Sequence, residues 1–187
     1  MPADPRAEAR RNYDLLLAEA RVAFAEHGTD ASLRDVARRA GVGIGTLYRH
    51  FPTRESLLEA LLRSNFDELR ERAEALLVAD DPREALLTWL TRLATGSTAY
   101  RGLPESVMGA LRDEASQLHG SCAAMREAGG RLLSRAQAVG AVRTDVTAGE
   151  LLALAAGAAW ASEQSGGSAE LVSRLLSYTM EGLRIGG

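Results

Sequence analysis

A chain of 187 residues, 46% apolar and 25% charged, has enough material for one compact domain, or a small domain joined to a larger one, without covalent staples. Its net charge of −3 and single cysteine, Cys122, exclude a chain that is basic throughout and an internal disulfide framework. No signal-peptide core and no apolar run of membrane-spanning length is present, so a cytoplasmic location away from membranes is expected.

All 22 basic side chains are arginine, so any phosphate must be gripped by guanidinium groups or neutral donors. Charge is unevenly spread. Residues 1–63 hold ten arginines against nine acids, a net of +1, which leaves −4 for the remainder.

The pattern reads as helix from end to end, because Ala, Leu, Glu and Arg dominate and no period-two alternation persists. A first helix is expected over Arg6–His27, with Leu16, Ala20, Ala23 and Phe24 on one face and Gly28 as its stop. A second spans Leu33–Ala40, capped by Ser32 with Asp35 three residues on, and ends at Gly41. A third covers Gly43–His50 and closes before Pro52. Thr53 caps a long fourth helix over Arg54–Val78. Asp81-Pro82 opens a fifth that reaches Tyr100, and a sixth runs from Pro104 to Leu111. The seventh covers Ala115–Val139, with a break or kink expected at Gly129-Gly130. Thr147 and Glu150 form a capping box for the eighth, Ala148–Gln164, and the ninth spans Ser168–Ile185. The fold expected is all-α: a three-helix N-terminal domain over 1–53 and a larger helical bundle over 54–187.

The informative stretch is SLRDVARRAGVGIGTLYRHF, Ser32 to Phe51. Leu33, Val36 and Ala37 make an apolar stripe, Ala40-Gly41-Val42 is a tight turn, and Leu47 and Phe51, four apart, face inward. Two short helices joined by a glycine turn and packed on a longer one form a helix-turn-helix, whose third helix is free to enter a DNA major groove. Ile44 can touch a thymine methyl and Arg49 can read guanine. Thr46, Tyr48 and His50 have polar tips suited to phosphate oxygens, and Gly43 and Gly45 let the backbone approach. Ser32, Leu33 and Arg34 open the second helix, where free N–H groups attract a phosphate, and Arg54 opens the fourth. These eleven residues are the candidate DNA contacts.

The same stretch resembles the TetR family of bacterial regulators. The matching residues are Ala23-Phe24 with Gly28, then Leu33-Arg34-Asp35-Val36-Ala37, Ala40-Gly41-Val42, Gly45-Thr46-Leu47-Tyr48-Arg49-His50-Phe51, Arg54 and Leu57-Leu58. Two positions depart from the family pattern: Gly43 stands where Ser or Thr is common, and Ile44 where a polar or basic residue is common. The resemblance implies a homodimer on double-stranded DNA with a near-palindromic operator, usually a repressor released by a small-molecule effector. The later half is similar to the SbtR-like variety of C-terminal domain.

In that half, small and apolar residues of the eighth and ninth helices are the candidate dimer interface: Leu151, Leu154, Ala155, Ala158, Ala159, Leu171, Leu175, Leu176 and Tyr178. An apolar effector site is expected from Phe66, Trp89, Leu93, Tyr100, Met108, Cys122, Met125 and Trp160. His119 and Cys122 share a helix face, but a metal needs three or four ligands and no second cluster occurs. No cofactor, metal or catalytic set is expected. A ligand-independent regulator, one answering to Cys122 oxidation, and a helical enzyme are the alternatives.

Overall fold

The computed structural model describes residues 4–97 and 103–184. Among them the chain is all-helical, with nine α-helices, one 3-10 turn and no strand. The helices are α1 (Pro5–His27), α2 (Leu33–Arg39), α3 (Ile44–His50), α4 (Arg54–Leu76), α5 (Pro82–Ser97), α6 (Glu105–Arg112), α7 (Gln117–Ala138), α8 (Ala148–Gln164) and α9 (Ala169–Gly182). The 3-10 turn over Gly28–Asp30 follows α1 where a plain stop was expected. None of these helices is long and apolar enough to cross a membrane.

The described residues form two compact units, 4–64 with 103–119, and 65–97 with 120–184. The division by contact therefore falls inside α4 and inside α7. In the first unit α1 packs on α2 and α2 on α3. Its buried residues include those of the sequence stripes: Leu16, Ala20, Ala23 and Phe24 of α1, Val36 and Ala37 of α2, and Leu47 of α3.

In the second unit α5, α8 and α9 pack on one another. Its core joins Leu69 and Ala73 of α4, Leu86 and Trp89 of α5, Leu132 of α7, and Leu151, Ala155, Val172, Leu176 and Met180. Trp89 lies at its centre and donates its indole N–H to the Leu69 carbonyl at 2.9 Å. Helix α7 runs unbroken through Gly129-Gly130, where an interruption was expected. Gly129 is buried against the Trp89 ring, so the glycine serves packing and not termination.

Helix ends follow local chemistry. The Asp81 carboxylate accepts from the N–H groups of Arg83 and Glu84 at 2.9 and 3.1 Å, which opens α5. At α8 the Thr147 hydroxyl accepts from the Glu150 N–H at 3.3 Å, and the Glu150 carboxylate accepts from the Thr147 N–H at 2.8 Å. The expected capping box is thus complete.

Candidate nucleic-acid interface

The α2–α3 region is built from short-range rules. The Ser32 hydroxyl accepts from the Asp35 N–H at 3.3 Å and caps α2. Gly41 takes φ +70°, a backbone conformation an L side chain resists, and so turns the chain into α3. The Val42 N–H donates back to Ala37 at 3.0 Å, closing the turn. Gly43 occupies the N-cap of α3 without a capping side chain, and its carbonyl accepts from Thr46 and Leu47.

Helix α3 is sharply divided. Leu47 is fully buried, while Ile44, Gly45, Tyr48 and Arg49 are exposed, Tyr48 at 47%. The Arg49 guanidinium lies along its own helix, donating to the Gly45 carbonyl at 3.3 Å and the Thr46 hydroxyl at 3.0 Å. It is thereby held near the exposed face without an acid to neutralise it among the described residues. Ser32, Arg34 and Gly43 are exposed as well. Asp35 and Arg38 pair at 3.1 Å, and Arg39 pairs with Glu26 of α1 at 3.1 Å. The Arg38 hydrogen bond first, and Ser32 second, hold the Asp35 carboxyl below the usual carboxylate range.

Four of the eleven candidates are at least half-buried, Thr46 among them. Leu33 is buried and belongs to the core. The half-buried Arg54 donates to the carbonyls of Thr29 and Ala31 at 2.7 and 2.6 Å, so it ties the 3-10 turn to the start of α4. His50 is half-buried, 6.0 Å edge-on from Tyr13 of α1, whose ring also meets Phe51 at 5.0 Å. Arg38, exposed on α2, is a cation that sequence reading passed over; its spacing from Arg34, one turn away, was the available signal.

The second unit separates the remaining candidates. Leu151, Ala155, Ala159 and Leu176 are buried in the core, while Ala158, 8% exposed, still lines an open groove. Leu154 and Tyr178 are exposed and Leu171 and Leu175 half-buried. Trp160, expected in an effector pocket, is instead 65% exposed, and Tyr178 is 63% exposed. Between α8 and α9 an open groove of ≈ 810 Å³ is lined by Ala153, Leu154, Gly157, Leu175, Thr179 and Leu183.

Of the effector candidates, Trp89 is sealed in the core, and the hollow beside it measures only ≈ 10 Å³, barely room for one water. Leu93, Cys122 and Met125 come together around a hollow of ≈ 180 Å³ with Leu152 and Ala156. Phe66 is half-buried against the core, Met108 belongs to the other unit, and Tyr100 lies outside the described residues. His119 gives its ring Nδ1 to the Leu111 carbonyl at 2.9 Å, and no cluster of three or more metal-ligating side chains occurs among the described residues.

Residues 16–61 match the model for bacterial regulatory proteins of the tetR family, and residues 81–185 match the C-terminal domain of SbtR-like transcriptional regulators. A TetR transcriptional regulator of Streptomyces coelicolor is 35% identical in sequence, with a TM-score of 0.75 over 94% of this chain and 99% of that one. A TetR regulatory protein of Mycobacterium vanbaalenii is 34% identical, with a TM-score of 0.72 over 97% and 100%. Among curated proteins, the HTH-type transcriptional repressor KstR2 of Mycolicibacterium smegmatis is 39% identical over 88 residues, 46% of this chain and 43% of that protein, so the chain spans less than half of that relative's length. With both halves matched and the helix-turn-helix geometry in place, the chain belongs to the TetR family of bacterial regulatory proteins, with a C-terminal domain of the SbtR-like type.

Proposed function

We propose that the protein is a homodimeric, sequence-specific DNA-binding repressor whose operator affinity falls when a small apolar or amphipathic ligand binds its C-terminal domain. The observation that carries the first part is the division of α3: Leu47 anchors the helix while Ile44, Tyr48 and Arg49 stand outward beside Gly45. Arg49 suits a guanine edge and Ile44 a thymine methyl, and exposed Ser32, Arg34 and Tyr48 suit the flanking phosphates.

Two copies are taken to join through α8 and α9. A Trp, a Tyr and a Leu exposed on two adjacent helices are a large apolar surface to leave in water. Gly157 lies one turn before Trp160, so a small residue sits beside a large one, and a two-fold mate would meet the same pairing. In such a dimer the two copies of α3 must lie about 34–36 Å apart to enter successive major grooves. A ligand acts only through its different affinity for the operator-competent and incompetent states.

The test is selection of bound duplexes from a randomised pool, followed by salt titration of the winner. A near-palindromic site whose affinity falls steeply with salt is the expected result. Unchanged binding by the Tyr48→Phe, Arg49→Ala double variant would sink the reading. Burial pushes the Cys122 thiol up, with Arg126 opposing, so little thiolate forms at neutral pH and a redox switch at Cys122 is disfavoured.

A further inference from the structure

The hollow between α5, α7 and α8 is walled by Leu93, Met125, Leu152 and Ala156, with Cys122 and Arg126 on the α7 side. Its volume, ≈ 180 Å³, is far below that of a drug-sized site. An apolar cavity of about 150 Å³ takes one benzene ring, so this hollow, open to solvent beside the exposed Arg126 and Ala156, has room for about one ring or an acyl group of like bulk.

Among the described residues, the one charge on its wall is Arg126. The other arginines of α7 are engaged: Arg131 pairs with Glu127 and Glu74, and Arg135 donates to the Ala79 carbonyl. Arg126 meets no carboxylate among the described residues. Cys122, one turn earlier, stays a neutral thiol because burial raises it, so the wall presents a cation with no anion beside it.

We infer that this hollow is the effector site and that its ligand is a compact carboxylic acid, one ring in size, with the ring against Leu93, Met125 and Leu152 and the carboxylate on the Arg126 guanidinium. The inference rests on the reading of the chain as a ligand-released repressor and adds the ligand's size and charge. A planar guanidinium grips a carboxylate through two parallel hydrogen bonds, and a polarisable thiol suits the ring edge.

The experiment is titration of the full-length protein with benzoate, benzamide and 2-naphthoate, by calorimetry and by protein NMR shifts, with operator affinity measured in parallel. Benzoate is expected to bind at least about tenfold more tightly than benzamide, the scale of one charge-assisted hydrogen bond, and 2-naphthoate, whose second ring would project from the hollow, to gain little over benzoate. Arg126→Gln, at an exposed position, removes the preference for benzoate and leaves benzamide unmoved. Ala156→Leu fills the hollow and abolishes binding of both. Benzoate must also weaken operator binding in the wild type and not in Arg126→Gln. Equal affinity for benzoate and benzamide, unchanged benzoate affinity in Arg126→Gln, or no benzoate binding beside intact operator binding would each overturn the assignment and leave the repressor reading standing. Failure to select any operator would overturn that broader reading instead.

Discussion

A Cβ atom on Gly129 would lie 2.2 Å from Cη2 of Trp89. The indole therefore occupies the space a side chain on α7 would need, and its N–H is fixed by the Leu69 carbonyl on the far side. Gly129→Ala is expected to destabilise the protein by about 1–3 kcal/mol through overpacking, which exceeds the ~1 kcal/mol that alanine gains over glycine in a helix. Urea melts check this. In a Trp89→Phe background the smaller ring makes room and the penalty of Gly129→Ala shrinks; equal penalties in both backgrounds would contradict the packing account.

Gly41→Ala tests the turn. With φ +70° and no atom within 4 Å of a Cβ there, the strain is purely in the backbone, and about 1–2 kcal/mol of stability is expected to be lost. Gly43→Ser is the control. Gly43 needs no left-handed backbone, and a hydroxyl at this uncapped N-cap should add a few tenths of a kcal/mol.

The proposed contacts to DNA divide by chemistry. Arg34→Ala should weaken binding to all sequences and reduce the salt slope by about one unit, as loss of one phosphate contact does. Arg49→Ala should cost about 1–3 kcal/mol and relax the preference at one base position in each half-site. Competition binding with single-base operator variants separates the two.

If two copies join through α8 and α9 as proposed, Trp160→Ala with Tyr178→Ala should shift the protein toward monomer in sedimentation velocity while far-UV circular dichroism stays unchanged, since both side chains are exposed on the single chain. Leu151→Ala should instead lower stability by about 2–5 kcal/mol, because that side chain is core.

The capping box predicts a pH dependence. The Thr147 N–H, and after it the Thr147 hydroxyl, hold the Glu150 carboxyl below its ordinary 4.5. A depressed folded value means that the group's contribution is complete above the ordinary carboxylate range and is lost as pH falls through the lowered value. Wild type should exceed Glu150→Gln in stability at pH 7, and the difference should close in acid. A difference that persists at the lowest pH would show that charge plays no part.

The sequence by itself determined the local architecture. Ser32, Gly41, Asp81, Thr147 and Glu150 act on backbone groups within a few residues, and the stripes of Leu16, Ala20, Val36 and Leu47 repeat at the helical period, so caps, turns and buried faces of the first unit could be read directly. The outward set Ile44, Tyr48 and Arg49 followed from that same period. Tertiary structure decided the rest. Helix α8 is apolar around most of its girth, and such a helix has no period to say that Leu151, Ala155 and Ala159 turn inward while Leu154 and Trp160 turn outward; only its packing on α5 and α9 does so. The fate of Gly129 was set by Trp89, forty positions away in the chain, and that of Arg54 by carbonyls of the turn after α1. In each case the deciding partner is distant in sequence, and no local rule carries that information.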